Sequence, residues 1–146
     1  MKSAVENYTR VLQDDILQDN IQQIVAESVR AFRSDKKMLL CGNGGSASDA
    51  QHIAAELSGR FYTDRPPLYA EALHVNSSYM TAVANDYGYE GTYARMVEAA
   101  GREGDVLIGI STSGNSPNVV KALQKAKELG VLTVGFTGKN GGKMKE

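Results

Sequence analysis

From Lys36 onward, apolar runs of strand length alternate with amphipathic stretches of helix length, and the runs stop at loops rich in glycine or hydroxyl residues. Met38-Leu39-Leu40-Cys41 stops at Gly42-Asn43-Gly44-Gly45. The spacing then predicts a helix over 46–58, with Gly59 placed for a left-handed cap. A weaker strand over 68–75 follows the turn-forming Arg65-Pro66-Pro67, and short helices are expected over 79–84 and 93–100. Asp105-Val106-Leu107-Ile108-Gly109-Ile110 is the clearest buried strand. It leads through Ser111-Thr112-Ser113-Gly114-Asn115-Ser116 to Pro117, where Ser116 is the expected helix cap and Pro117 the first helical residue. That helix ends at Gly130, and 131–136 is the next strand. Such alternation implies an α/β fold with a parallel sheet covered by helices on both faces.

Two helices precede the first strand. Ser3 and Glu6 have capping-box spacing, and Val5, Tyr8, Val11, Leu12 and Ile16 form an apolar stripe. Asp19 with Gln22 is the expected cap of a second helix, striped by Ile21, Ile24, Val25, Val29 and Phe32. The 146 residues suit one domain, with N-terminal helices over about 3–34 and an α/β body over 36–146. After the last strand comes a polar loop rather than the helix such a sheet calls for, so a C-terminal helix is expected to be missing.

The charge balance excludes several classes. Sixteen Lys and Arg against seventeen Asp and Glu give a net charge of −1, which argues against a nucleic-acid partner, where a basic excess would neutralise phosphates. No run of about 18 apolar residues exists to span a bilayer, and the first ten residues carry no secretory core. A single cysteine, Cys41, rules out an internal disulfide and fits the cytoplasm. It reads as a core residue.

Two loops carry the chemistry. Gly42-Asn43-Gly44-Gly45-Ser46 lets the backbone approach a ligand and opens a helix whose N–H groups face an anion, although a tight strand-to-helix turn also favours glycine. Gly42-x-Gly44-x-x-Ala47 satisfies the dinucleotide fingerprint, yet His74-Val75-Asn76 supplies no acidic residue to close the second strand. The stretch Ser111–Ser116 places four hydroxyls before a helix start, more than a turn requires, and can wrap a phosphate without lysine. A Walker pattern is absent around Lys139 and Lys143, which disfavours ATP hydrolysis.

His52 and Glu56 stand four residues apart, a little over one turn up from the first loop. That spacing serves a metal site or general acid–base catalysis, but such a pair is more often simply exposed; Ile53 and Leu57 beside it on the helix surface shift the balance toward a partly buried face. Asn85-Asp86 closes a short helix and by residue type is a turn signal. Arg60 either meets a polar substrate or caps carbonyls, and His74 reads as structural.

Cys-Gly-Asn-Gly-Gly-Ser at 41–46, Gln-His-Ile-Ala-Ala-Glu-Leu-Ser-Gly-Arg at 51–60, Ala-Asn-Asp-Tyr-Gly at 84–88 and Gly-Ile-Ser-Thr-Ser-Gly-Asn-Ser at 109–116 together resemble the phosphoheptose isomerases, a family of sugar isomerase (SIS) domain proteins. The resemblance runs the length of the chain with the motifs in order. It implies a flavodoxin-like parallel sheet, a homotetramer with inter-subunit active sites, and one zinc per subunit. It implies conversion of sedoheptulose 7-phosphate to D-glycero-D-manno-heptose 7-phosphate through an enediol, the first step of nucleotide-activated heptose biosynthesis. Asn43, Gly44 and Gly45 would contact substrate, while Ser46, Ser111, Thr112, Ser113 and Ser116 hold its phosphate. Asn85 and Asp86 would line the sugar, with Arg60 nearby. His52 and Glu56 would ligate zinc, and Glu56 would also be the substrate-contacting acid–base group. The family's further Gln and His, on a C-terminal helix, are not among these residues.

Two other readings differ in class. Some SIS relatives are non-catalytic regulators that bind a replication initiator protein, and these lose the glutamate that stands here as Glu56. A nucleotide-binding oxidoreductase could be built on Gly42-x-Gly44-x-x-Ala47, but the serine loop leans toward a sugar phosphate.

Overall fold

A computed structural model describes residues 2–138 and 140–146, so Lys139 lies outside the described residues. Among them, four strands form one parallel sheet: β1 (Met38–Gly42), β2 (Ala70–Ala72), β3 (Val106–Ser111) and β4 (Leu132–Thr137), ordered β2-β1-β3-β4. Met38 to Gly42 pair in register with Val106 to Ile110. The chain leaves β1 toward one edge to make β2, then returns to the other side of β1 for β3. The strand order therefore reverses between β1 and β3, and open α/β sheets place ligands in the crevice beyond the strand tips at that point.

Every residue of β1 and β3 is buried, as expected of strands covered on both faces. On one side, Leu40, Ile108 and Val134 pack with Ala50 and Ala54 of α3 (Gly45–Ser58) and Ala31 of α2 (Asp15–Arg33). On the other, Leu39, Cys41 and Leu107 pack with Tyr93 and Val97 of α5 (Thr92–Ala100) and Val119, Ala122 and Leu123 of α6 (Pro117–Glu128). α4 (Ser77–Tyr87) adds Met80 to this second layer, and a 3-10 turn at Tyr89–Gly91 links it to α5. At the sheet's lower end, buried Asp105 accepts from the Lys37 ammonium and from the backbone N–H groups of Lys37 and Arg102.

Several local expectations change. α1 (Lys2–Leu12) already includes Ser3, which is therefore not its cap, and Ile16 belongs to α2. Asp14 caps α2 by accepting from the Leu17 N–H at 2.9 Å, leaving Asp19 in the helix interior. Gly59 is not left-handed; its φ is −89°. The Arg65 guanidinium instead reaches the carbonyls of Glu56 and Leu57 at 3.0 and 2.9 Å, satisfying groups that such a cap would serve. β2 is only three residues long, because the Leu68 N–H is taken by the Leu57 carbonyl of α3 at 3.1 Å and the chain turns away after Leu73. α4 starts earlier than expected because Asn76 caps it, accepting from the Tyr79 N–H at 2.9 Å. The C-terminal residues form a 3-10 turn at Gly142–Lys145.

Candidate active site

The Asn43–Gly45 turn leaves β1, and the 112–116 turn leaves β3, so both lie at the switch point. Gly44 takes φ +56° there, a value that favours glycine. Gly42 lets α3 start close against the strand: a Cβ on it would lie 2.7 Å from the Ser46 carbonyl oxygen. The side chains of Asn43 and Asn118 exchange two hydrogen bonds, each 2.9 Å, and the Tyr89 hydroxyl donates to Asn43 Oδ1 at 3.0 Å. This ties the first loop to the first turn of α6 and to the 3-10 turn at Tyr89–Gly91, which follows α4 and its Asn85 and Asp86. Those two are exposed, and the Asn85 amide donates to Asp86 Oδ1 at 2.9 Å.

Within the second loop, Thr112 and Ser113 are exposed while Ser111 is buried. Gly114 makes the turn with φ +65°, its N–H donating to the Ser111 carbonyl at 2.9 Å. Ser116 occupies the cap position of α6 but makes no side-chain bond to the helix. Its Oγ lies 2.9 Å from Ser111 Oγ instead. The hydroxyl assigned to capping is thus turned into the loop. Thr112, Ser113 and Ser116 with the α6 N-terminus form a hydroxyl-lined cradle suited to a dianionic phosphate, bordered by the C-terminal segment, whose Lys143 N–H donates to Asn115 Oδ1 at 3.1 Å.

Two structural tyrosines and Cys41 back the loops. The Tyr93 hydroxyl donates to the Gly42 carbonyl at 2.5 Å, and burial, with the neighbouring Tyr89, raises its pKa. Burial pushes the Cys41 thiol up to about 12, consistent with a core role.

His52 and Glu56 form a separate cluster. α3 begins at Gly45, so they stand about two and three turns along it, farther than the sequence suggested. At about 1.5 Å per residue, Glu56 lies roughly 16 Å along the axis from that start. The helix runs back down the sheet, away from the strand tips. His52 Nε2 is 3.2 Å from Glu56 Oε1, with side chains 76% and 38% exposed. They open onto a groove of about 670 Å³ that also includes Ile53, Phe61, Ile108 and Phe136, and neither turn lines it. Arg60 is exposed just beyond the helix.

The pair suits part of a zinc site. An imidazole nitrogen and a carboxylate oxygen are both zinc donors, and the i, i+4 spacing brings His52 Nε2 and Glu56 Oε1 to 3.2 Å on one exposed helix face. Among the described residues, no third His, Cys, Asp or Glu joins them.

Comparison with known proteins places the chain in a family. The SIS domain family model matches residues 2–138, which defines the chain as an SIS-domain protein. The phosphoheptose isomerase of Clostridium acetobutylicum is 53% identical over 99% of this chain and 74% of its own length. That of Mycobacterium tuberculosis (strain ATCC 25177 / H37Ra) is 51% identical over 94% of this chain and 70% of its own. The structure of the Neisseria gonorrhoeae phosphoheptose isomerase superposes with a TM-score of 0.84 at 39% identity, covering 99% of this chain and 78% of that one. The chain belongs to the phosphoheptose isomerase family. The flavodoxin-like order of its sheet is the fold expected from the sequence, and among the described residues no helix is long and apolar enough to cross a membrane.

Proposed function

We propose that this chain is the subunit of an isomerase that interconverts sedoheptulose 7-phosphate and D-glycero-D-manno-heptose 7-phosphate in the cytoplasm. The observation that carries the reading is the cradle at the switch point, where Thr112 and Ser113 are exposed and half-buried Ser116 turns its hydroxyl into the loop before the α6 N-terminus. A phosphate gripped there supplies binding energy remote from the reacting carbons and fixes the sugar's register.

The reaction requires one proton to move between neighbouring carbons. In the ketose-to-aldose direction a base takes a proton from C1 while the C2 carbonyl oxygen gains one, giving an enediol. A proton then returns at C2 as the C1 hydroxyl gives up its own. Glu56 is the carboxylate assigned to carry the carbon-bound proton, and Asn85 and Asp86 line the sugar chain. His52 and Glu56 would hold zinc, which when bound polarises the sugar oxygens as a Lewis acid.

Glu56 and the cradle point to opposite ends of α3, so we assign them to one site only across a subunit boundary, in a homotetramer. Exposed apolar residues support assembly: Val5, Tyr8 and Leu12 on α1, and Ile16, Ile21, Val25 and Val29 on α2. The direct test follows the aldose product by chromatography. Glu56→Gln should lower turnover about 10²–10⁴-fold while leaving sugar-phosphate binding by calorimetry largely intact. Turnover near wild type in this variant would overturn Glu56 as the proton carrier, and a wild type that neither turns over nor binds sedoheptulose 7-phosphate would overturn the isomerase reading.

A further inference from the structure

We propose that Asn118 is a positioning residue for the isomerase site, acting through Asn43 as an amide clasp across the switch point. The inference rests on the isomerase reading above. Asn118 lies in the first turn of α6 and is only 2% exposed. A buried amide of this kind is costly unless both its oxygen and nitrogen find partners. Asn118 Nδ2 donates to Asn43 Oδ1, and Asn43 Nδ2 donates back to Asn118 Oδ1, each at 2.9 Å. Asn118 Oδ1 also accepts from the Val119 N–H at 3.0 Å, which fixes which end of the amide faces which way.

On the other side, Asn43 Oδ1 receives the Tyr89 hydroxyl at 3.0 Å, so this oxygen already accepts two hydrogen bonds. An sp² oxygen has two lone pairs. Asn43 therefore offers a ligand its second Nδ2 hydrogen and its backbone rather than its carbonyl oxygen. The clasp holds that donor, and the Gly44–Gly45 turn behind it, at a fixed spacing from the hydroxyls that hold the phosphate. A sugar anchored at Ser113 then meets the first loop in one register. Releasing the clasp leaves the phosphate cradle in place and lets the first loop drift, a loss that falls on turnover more than on anchoring.

The test compares wild type, Asn118→Leu, Asn43→Ala and the double variant in the assembled protein, with rates normalised to folded protein by circular dichroism. Asn118→Leu should lower kcat about tenfold, change the inhibition constant of inorganic phosphate less than about twofold, and speed hydrogen exchange at residues 43–46. The double variant should be little worse than Asn43→Ala, because the two side chains act as one unit. Multiplicative losses, or unchanged kcat and exchange in Asn118→Leu, would overturn the clasp. A global loss of fold in Asn118→Leu moves the test to Asn118→Asp, which keeps the acceptor for Asn43 Nδ2 and loses the donor. It should show the same split between kcat and phosphate inhibition, and equal loss in both would reject the proposal. Wild type that turns over no heptose phosphate while residues 43–46 are protected, and lose protection in the variants, would sink the functional reading and leave the clasp standing.

Discussion

Ser111 and Ser116 bring their hydroxyl oxygens to 2.9 Å across the turn that leaves β3, although Ser116 sits where a helix-capping side chain belongs. The α6 start is held by other means. Pro117 presets the first helical φ and removes one N–H that would otherwise want a partner, and the Val119 N–H is taken by Asn118 Oδ1 at 3.0 Å. Removing a serine that truly caps a helix ordinarily costs about 1 kcal/mol.

Ser116→Ala should therefore separate the two roles. Thermal melting should shift by less than that capping loss implies, while calorimetric affinity for a sugar phosphate drops several-fold. A large fall in melting temperature with unchanged affinity would return Ser116 to a purely structural role. Ser113→Ala, on an exposed hydroxyl, should likewise weaken affinity with no stability change beyond about 0.5 kcal/mol, the range for surface substitutions.

Gly109 lies in the middle of β3, beneath α6. A Cβ there would stand 2.8 Å from Val119 Cγ1 and 3.2 Å from Leu123 Cδ1. The missing side chain thus sets how closely α6 approaches the sheet, one residue away from the Asn118 amide. Gly109→Ala overpacks that contact and should cost about 1–3 kcal/mol in urea denaturation. A variant as stable as wild type would mean that the helix can retreat without penalty.

The sequence made the architecture legible wherever a strong period met strong punctuation. The run Asp105–Ile110 between Gly104 and the serine loop had one reading, and β3 occupies nearly the same residues. Helix ends were harder, because neighbouring residues compete for the same cap. Asp14, Asp15 and Asp19 all suit a helix start, and only tertiary structure selects Asp14. At Gly59 the competitor was Arg65, whose reach to the α3 carbonyls depends on a chain reversal that local pattern does not encode. The site showed the same division. The two loops were visible because glycine and hydroxyl clusters at strand ends have few other uses. Asn118 was not, since one asparagine in a helix carries no periodic signal. Tyr89 could have been suspected only from its place just after Asn85-Asp86. The separation of Glu56 from the cradle was also hidden, because it depends on where α3 begins and which way it runs.

His74 predicts a pH dependence. Its Nδ1 is buried without a hydrogen-bond partner among the described residues, and Nε2 reaches only Gln51 Oε1, at 3.4 Å. Burial lowers its pKa below the ordinary 6.5. The unfolded chain therefore takes up a proton near pH 6.5 while the folded chain resists. The resulting stability is fully present above that value and declines as pH falls through it toward the folded pKa. Chemical denaturation at pH 7.5 and below 6.5 should show a steeper loss for wild type than for His74→Leu. Equal slopes would mean that burial at this ring does not couple protonation to folding.

The assignment of cradle and carboxylate to different subunits can be decided by complementation. Ser113→Asp sets a negative charge in the phosphate cradle and should abolish activity, and Glu56→Gln should abolish it by removing the proton carrier. Neither protein retains a complete set of residues on one chain. If each site takes its cradle from one subunit and its glutamate from another, random mixed assemblies formed by co-expression contain some sites with both groups intact. For equal amounts of the two chains, that fraction is about one quarter, the product of two independent halves in a closed symmetric assembly. Co-purified mixtures should recover activity of that order, whereas proteins purified apart and mixed without subunit exchange should show none. Mixed assemblies that stay inactive, with both chains present in the same particle by mass spectrometry, would place Glu56 and Ser113 of a single chain in one site and require α3 to lie differently against the sheet.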